Sequence, residues 1–405
     1  MHPSRIISSI VAASAAVSLV AIPQSRASAH TNHQDRITLA VYGDSPYGLN
    51  NTDTSQVALT PQFTAAVNAD PDVSGVLHVG DIHSGKSFCT VDYDNQIVAL
   101  WSMFQDPLVY TPGDNEWADC HKPAEGGGKY NPATGAIDFV AAGSFAQGNP
   151  ADNLALVRST FFTKLGRALG SGKLKVTSQA KDYDPNFPMD KTYVENVRWE
   201  QGDTVFVTFN IPGGSNNDDD NWYGTPTKSQ AQTDEIAQRT AADLRWLDAA
   251  FADAKHEHAE AVVIMEQADM WDLDGKSPSH IVNYEPFIAA IASNTMAFGK
   301  PVLLLNGDSH IYRSDNPLSA TARCITESST GEVACTTNLG LHPQFLGVEN
   351  FHRLVVHGST SPLEWLKLSI SDDDRGKDHA VAPANPNSFG PFSWTRMNTG
   401  LVGAS

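Results

Sequence analysis

Four aspartates share one setting: each follows a glycine and closes an apolar run. They are Asp44 in LAVYGDSPYG, Asp81 in VLHVGDIHSG, Asp114 in LVYTPGDNEW and Asp308 in LLLNGDSHIYR, where His310 follows two residues later. Carboxylates gathered in one cleft repel each other, and some must take up protons. A divalent cation removes that conflict. Oxygen ligands in this number suit a hard or borderline ion such as Mg, Mn, Ca or Fe. The chemistry of such a cluster is metal-assisted hydrolysis. Gly202-Asp203 is a fifth copy of the pair. It falls at or near a hairpin turn and receives no role.

The elements that must carry these carboxylates are readable. Residues 37–44, 75–81 and 106–114 read as short buried strands. PQFTAAVNADP and DYDNQIVALWSMF between them have helical spacing. Strand, helix and strand in alternation predict parallel strands with right-handed crossovers. In open α/β sheets, ligands bind beyond the carboxyl ends of the strands. Glycine there lets the chain turn sharply and places the next side chain over the sheet edge. Further along, VRSTFFTKLGRAL reads as a helix, VENVRWEQGDTVFVTFN as a hairpin, and GGGKYNPATG and IPGGSNNDDDNWYG as loops. Helices near 229–255 and 283–297 lead into strands at 259–267 and 301–308. Shorter strands follow at 351–358 and 362–370, and the tail after Ser371 reads as loosely ordered.

The bulk numbers narrow the class. A chain of 405 residues supports a sizeable core, and a net charge of -19 disfavours nucleic acid or an anionic membrane surface as a partner. Arg5, the stretch IISSIVAASAAVSLVAI and Ala27-Ser28-Ala29 form a secretory signal pattern. The expected organisation is therefore a signal peptide over 1–29, one α/β domain over 30–371 and a tail over 372–405. The exported chain is expected to be secreted or periplasmic, with no membrane span. Its four cysteines fit an oxidising compartment. The favoured pairs are Cys89 with Cys120, joining two loops after neighbouring strands, and Cys324 with Cys335.

The ordered blocks YGDSPYG, GDIHSG, PGDNEW, VIMEQADMW and NGDSHIYR resemble the series found in calcineurin-like metallophosphoesterases, which include the purple acid phosphatases. The resemblance spans about 44 to 313 and implies a two-sheet sandwich flanked by helices, with a two-metal site at the strand ends. It carries over residue by residue. Asp44 matches the first metal-binding Asp, and Asp81 the Asp that bridges both ions. Pro46 stands where many members have a His ligand, with Tyr47 as a substitute. In PGDNE, Asp114 falls on the Asn ligand, Asn115 on the His that serves the leaving group, and Glu116 on the closing acid. Gln267 or Glu266 takes the place of a lone His ligand. Asp308 replaces another His, and His310 keeps the last one. These departures exchange imidazoles for oxygen ligands, which points to a site retuned toward harder ions.

The function this implies is a secreted, metal-dependent phosphoesterase using one or two divalent ions and a metal-activated hydroxide on a small phosphorylated substrate. Asp44, Asp81 and His310 would hold one ion; Asp81, Asp114, Gln267 and Asp308 the other. Asn115, His83 and His310 are the catalytic candidates, although an amide cannot protonate a leaving group. His83 either faces the cleft or is structural. Arg313 either grips a phosphate oxygen or pairs with Asp315. His78 reads as a core histidine, and His357 as a candidate for the cleft wall. Asn216 and Asn217 read as substrate-facing or solvated. Trp117 and Trp271 read as pocket walls or core. The rival readings are a metal- and anion-binding protein without turnover, and a single-metal hydrolase of non-phosphate substrates.

Overall fold

The computed structural model describes residues 36–140, 143–320, 323–327, 333–334, 341–359, 363–371 and 387–403. They form a mixed α/β architecture with two large sheets. In the first, strands Arg36–Tyr42, Gly75–His78 and Pro107–Tyr110 lie parallel in that order. Strand Glu364–Ser371 runs antiparallel beside Arg36–Tyr42. In the second, Thr204–Thr208, Ala261–Met265, Val302–Asn306 and Phe351–Val355 are parallel neighbours.

The apolar runs are unbroken because these strands are covered on both faces. Side chains alternate across a strand, and the alternation assigns each one a layer. Leu39, Val41, Leu77 and Val79 share a core cluster with Val263, Met265, Leu303 and Leu305, so the inner faces of the two sheets pack on each other. The intervening Ala40, Tyr42 and Val76 turn outward onto Phe63, Ile97 and Trp101 of helices Ser55–Asn68 and Val91–Trp101. Val262, Ile264, Val302 and Leu304 turn outward onto Trp246, Phe251, Ile288 and Ile291 of helices Gln230–His256 and Glu285–Phe298. Each fully buried aliphatic side chain is worth about 1.5–3 kcal/mol. A one-residue slip in any of these strands would exchange its two faces.

Several local expectations change. The helix expected from Val157 instead spans Pro150–Phe161. Asn149 caps it by accepting from the Asp152 amide, and Pro150 occupies its first turn, where a missing N–H costs nothing. GGGKYNPATG is not all loop, since Gly128–Asn131 pairs with Ala136–Phe139 in a hairpin. The tail expected to be loosely ordered contributes strand Phe392–Asn398, which pairs antiparallel with Glu364–Ser371. Trp394 and Phe392 on that strand are buried in the inter-sheet cluster. The signal-peptide segment, residues 372–386 and Cys335 lie outside the described residues. Cys89 and Cys120 are joined, with Cα atoms 5.8 Å apart. Among the described residues, no helix is long and apolar enough to cross a membrane.

Candidate metal centre

Every Gly-Asp pair at issue follows the carboxyl end of a parallel strand. Asp44, Asp81 and Asp114 come from the first sheet and Asp308 from the second. The turn is made mostly by the aspartates themselves. Asp44, Asp81, Asp308 and also His310 have φ of 48°, 57°, 73° and 59°. Non-glycine residues in this left-handed region are strained, and such strain collects at functional sites. The expectation that the glycines supply the turn holds only for Gly80, at φ 100°. The others are needed for closeness. A Cβ on Gly307 would fall on the Asp44 carboxylate, one on Gly113 on the Asp81 carboxylate, and one on Gly358 on Asp44 itself. A Cβ on Gly213 would stand 2.5 Å from Asp114 Oδ2 and 2.8 Å from Asp308 Oδ1. The carboxylates therefore sit in a cradle walled by bare backbone.

At one end of the cradle, His310 Nε2 lies 3.3 Å from Asp44 Oδ1. The Tyr47 hydroxyl donates to Asp81 Oδ2 at 2.8 Å and lies 3.3 Å from His310 Nε2. One ligand atom each from Asp44, Asp81 and His310 fall within 4.8 Å of one another, close enough to share an ion. Ser359 Oγ lies 3.3 Å from His310 Nδ1 and orients the ring. The Asp308 amide donates to Asp44 Oδ1 at 2.9 Å, which ties the two sheets together across the site.

At the other end, Gln267 clamps two carboxylates. Its Nε2 donates to Asp81 Oδ2 at 3.2 Å and to Asp114 Oδ1 at 3.1 Å, while its Oε1 accepts the Gly213 amide at 2.6 Å. With the oxygen taken by a backbone N–H, Gln267 presents a donor to the cluster. It is placed to position Asp81 and Asp114, not to offer an oxygen to an ion. Asp308 Oδ2 accepts the Asp269 amide at 2.9 Å. Asp269 is held in turn by the fully buried Arg353, which also makes a bidentate pair with Asp315 at 2.9 and 2.8 Å. A planar fork shared by two buried carboxylates fixes the loop that carries Asp308.

The electrostatics show a strained cluster. Burial raises Asp81 well above the usual carboxylate range, and the charges of Asp114, Glu116, Asp44 and Asp308 add to it. Burial and Asp119 push Asp114 up to about 7. Burial and Asp114 raise Asp308 well above its ordinary value. Burial lowers His310, but contact with Asp44 outweighs it and leaves the imidazole above its usual value. The buried Asp44 Oδ2 has no hydrogen-bond partner. An orphaned carboxylate oxygen and three carboxyls pushed toward protonation are what a bound cation would relieve, so these residues fit a divalent ion.

The remaining candidates separate. Asn115 lines the cleft, and its Nδ2 donates to the Tyr47 hydroxyl and to Asp81 Oδ2, both at 3.0 Å. Glu116 faces backward and accepts the Gly113 and Asp81 amides and the Tyr110 hydroxyl, which makes it a loop anchor. Glu266 is fully buried with neither oxygen hydrogen-bonded. His83 is buried against Tyr93, with Nδ1 near Ser84 O and burial lowering it to about 4, so it is neutral; it is not on the cleft wall. Arg313 faces Asp269 at 3.6 Å, away from the cleft. His78 lies in the core, Nε2 to Ser45 O. His357 pairs with Glu327. Asn216 and Asn217 are buried, Asn216 accepting from Arg239 and donating to Thr240 and Asn217 donating to Glu235, and are neither substrate-facing nor solvated. Trp117 and Trp271 are core residues under the guanidinium groups of Arg239 and Arg353.

Sequence reasoning missed Ser359, Asp269 and Lys86. Ser359 had a signal, since VVHGS ends another buried strand in a glycine. Lys86 stands five residues after Asp81, immediately beyond the GDIHSG block, and lines the same cleft.

No family model matches the sequence, and no curated protein matches it. Among solved structures, a purple acid phosphatase, PPD1, isolated from seeds of yellow lupin (Lupinus luteus) is similar at 11% identity and a TM-score of 0.35. The match covers 83% of this chain and 49% of that one, so the chain spans about half the length of that protein.

Proposed function

We propose that the chain is an exported, metal-dependent phosphoesterase of the calcineurin-like type, its two sheets forming that family's sandwich. The observation that supports this most is the convergence of Asp44, Asp81, Asp114 and Asp308 from the strand ends of both sheets into one glycine-walled cradle, with His310 beside them. Asp44 and His310 would hold one divalent ion, Asp114 and Asp308 a second, and Asp81 would lie between them. Bound there, such ions supply an activated water at neutral pH and draw off the negative charge that builds on the phosphoryl oxygens.

The chain's own residues do the positioning. Tyr47, Asn115 and Gln267 all donate to Asp81 Oδ2, which fixes that carboxylate in one orientation. Ser359 sets the His310 ring, and the Asp269 amide sets Asp308. Asn115 stands on the wall where a leaving group would depart. It can hydrogen-bond a departing oxygen but has no proton to give up, so esters with good leaving groups are the expected substrates. The Cys89–Cys120 disulfide accords with export into an oxidising compartment.

Elemental analysis of the purified mature protein, paired with aryl phosphate hydrolysis in added Mn or Mg, tests the reading. One or two ions per chain and turnover abolished by chelation are expected. A chain that retains no metal and cleaves nothing would overturn it. Sequencing of exported protein should find an N-terminus near His30.

A further inference from the structure

Two depressions open beside the carboxylate cluster, and their charges differ. One, of about 140 Å³, is bordered by Asp114, Asp308 and further aspartates including Asp219 and Asp274. Each of its lysines is already neutralised: Lys122 pairs with Asp119 at 2.5 Å, and Lys276 with Asp219 at 2.6 Å. An anion gains nothing by entering there. The other, of about 330 Å³, shares Asp114 and Asp308 with the first at its inner end and runs from Asp81, Asn115 and His310 out to Leu49 and Lys86, where no further carboxylate lines it. Lys86 is the one lysine on its wall, and it has no acidic partner among the described residues.

The backbone that presents Lys86 is pinned. Ser84 Oγ donates to Gly48 O at 2.6 Å, and the Lys86 amide donates back to Ser84 Oγ at 3.4 Å. The Ser87 amide closes a turn on Ser84 O at 2.9 Å, and Cys89 is tied to Cys120. Gly85 abuts the catalytic wall, since a Cβ there would lie 3.2 Å from Asn115 Oδ1. The four-carbon stem of Lys86 therefore starts one residue from the leaving-group side of the cleft. Its ammonium is a mobile point charge suited to a single anionic group.

We propose that Lys86 anchors a second negative charge on the substrate, so that the site takes phosphoesters whose leaving portion is itself anionic. This rests on the phosphoesterase reading and names its substrate class. The scissile phosphate lies at the carboxylate cradle, the stem of the leaving group passes Leu49, and its distal anion meets Lys86. In a chain of net charge -19, an unpaired cation on this one wall also sets the side from which an anion can approach.

The test uses non-hydrolysable probes on the Mn-loaded full chain: benzylphosphonate and 4-carboxybenzylphosphonate, by calorimetry. The carboxylated probe should bind the parent roughly tenfold more tightly, the size expected for a charge-assisted hydrogen bond. Lys86→Ala should erase that preference and Lys86→Glu invert it, with benzylphosphonate affinity and metal content unchanged. Equal binding of the two probes by the parent, or equal weakening of both in Lys86→Ala, would overturn the proposal. Aryl phosphate hydrolysis by the parent is measured separately. Preference without turnover would sink the phosphoesterase reading and keep the anchor, turnover without preference would sink the anchor alone, and neither would sink both.

Discussion

The two ends of the cradle meet at Asp81 but are built differently. The Asp44 end contains an imidazole, a phenol hydroxyl and an orphaned carboxylate oxygen, with ligand atoms already within 4.8 Å. The Asp308 end contains carboxylates alone, bridged by the Gln267 amide and backed by the Asp269–Arg353–Asp315 network. An imidazole suits borderline ions, whereas an all-carboxylate set suits hard ones. On the proposed reading, the difference means that the two ions would be unlike in preference, with Asp81 the carboxylate that keeps them in register.

Removing what the ends share should have the largest effect. If Asp81 is the charged ligand that both ions share, as proposed, Asp81→Asn replaces it with a neutral amide. Both ions and nearly all hydrolysis should be lost, a fall of about 10²–10³-fold or more. Metal content by elemental analysis and hydrolysis rate check this together. Full occupancy in the variant would mean that the two ends are not one site.

A wedge in each end tests whether they can be damaged separately. Neither Gly307 nor Gly213 has a positive φ, so alanine costs no backbone strain there. Gly307→Ala should push aside Asp44 and weaken only the first ion, while Gly213→Ala should displace Asp114 and Asp308 and weaken only the second. About 10–100-fold in affinity for the affected ion is expected, the scale of lost ligand orientation. Metal titration of each variant reads it. Identical losses at both ions from either wedge would break the comparison.

What was legible beforehand follows from the same physics. The strand ends could be read because both-faces burial forces unbroken apolar runs, and the abrupt Gly-Asp marks where each run meets the cleft. Asp44, Asp81, Asp114 and Asp308 were therefore visible as a group. The reason for the glycines was not, because whether a Cβ would strike a carboxylate carried by the other sheet, as at Gly307 and Asp44, is a tertiary fact. Gln267 was visible as a polar residue at a strand end, but its orientation depends on the Gly213 amide. Arg353 lies inside a strand whose five residues are all buried, so only its distant partners Asp269 and Asp315 explain it. Asn216 and Asn217 looked like solvated loop for the same reason: Arg239, which holds Asn216, is on another element.

A ligand exchange sharpens the contrast with a smaller effect. Asp308→His places an imidazole in the end that lacks one. The second ion should shift by roughly tenfold from Mg or Ca toward Zn or Mn, with the fold intact, because Asp308 sits at a strand end over the cleft. Competitive metal binding reads the shift. Unchanged preference would show that Asp308 does not face an ion.

The smallest expected effect is in the pH dependence of stability, and its sign can be worked out. Asp81, Asp114 and Asp308 are raised in the folded chain from an ordinary value of 3.8, Asp114 to about 7. Between those values the metal-free folded state holds protons that the unfolded chain has released. Its stability from these groups is present below about pH 4 and is lost as pH rises toward 7. His310, raised above 6.5 beside Asp44, acts in the same sense. His78, His83 and His352, each lowered to about 4 by burial, act in the opposite one: the unfolded chain takes their protons first as pH falls below 6.5. The contributions of His78, His83 and His352 cancel when loaded and metal-free protein are compared at the same pH. A cation must displace the protons on the cluster, so its stabilisation grows as they leave. The rise in Tm on adding Mn should therefore increase by about 2–4 °C between pH 5 and pH 7.5. Thermal unfolding with and without Mn across that range measures it. A shift that is flat with pH would mean that the ion does not compete with the protons on Asp81, Asp114 and Asp308, and the contrast between the two ends would lose its electrostatic basis.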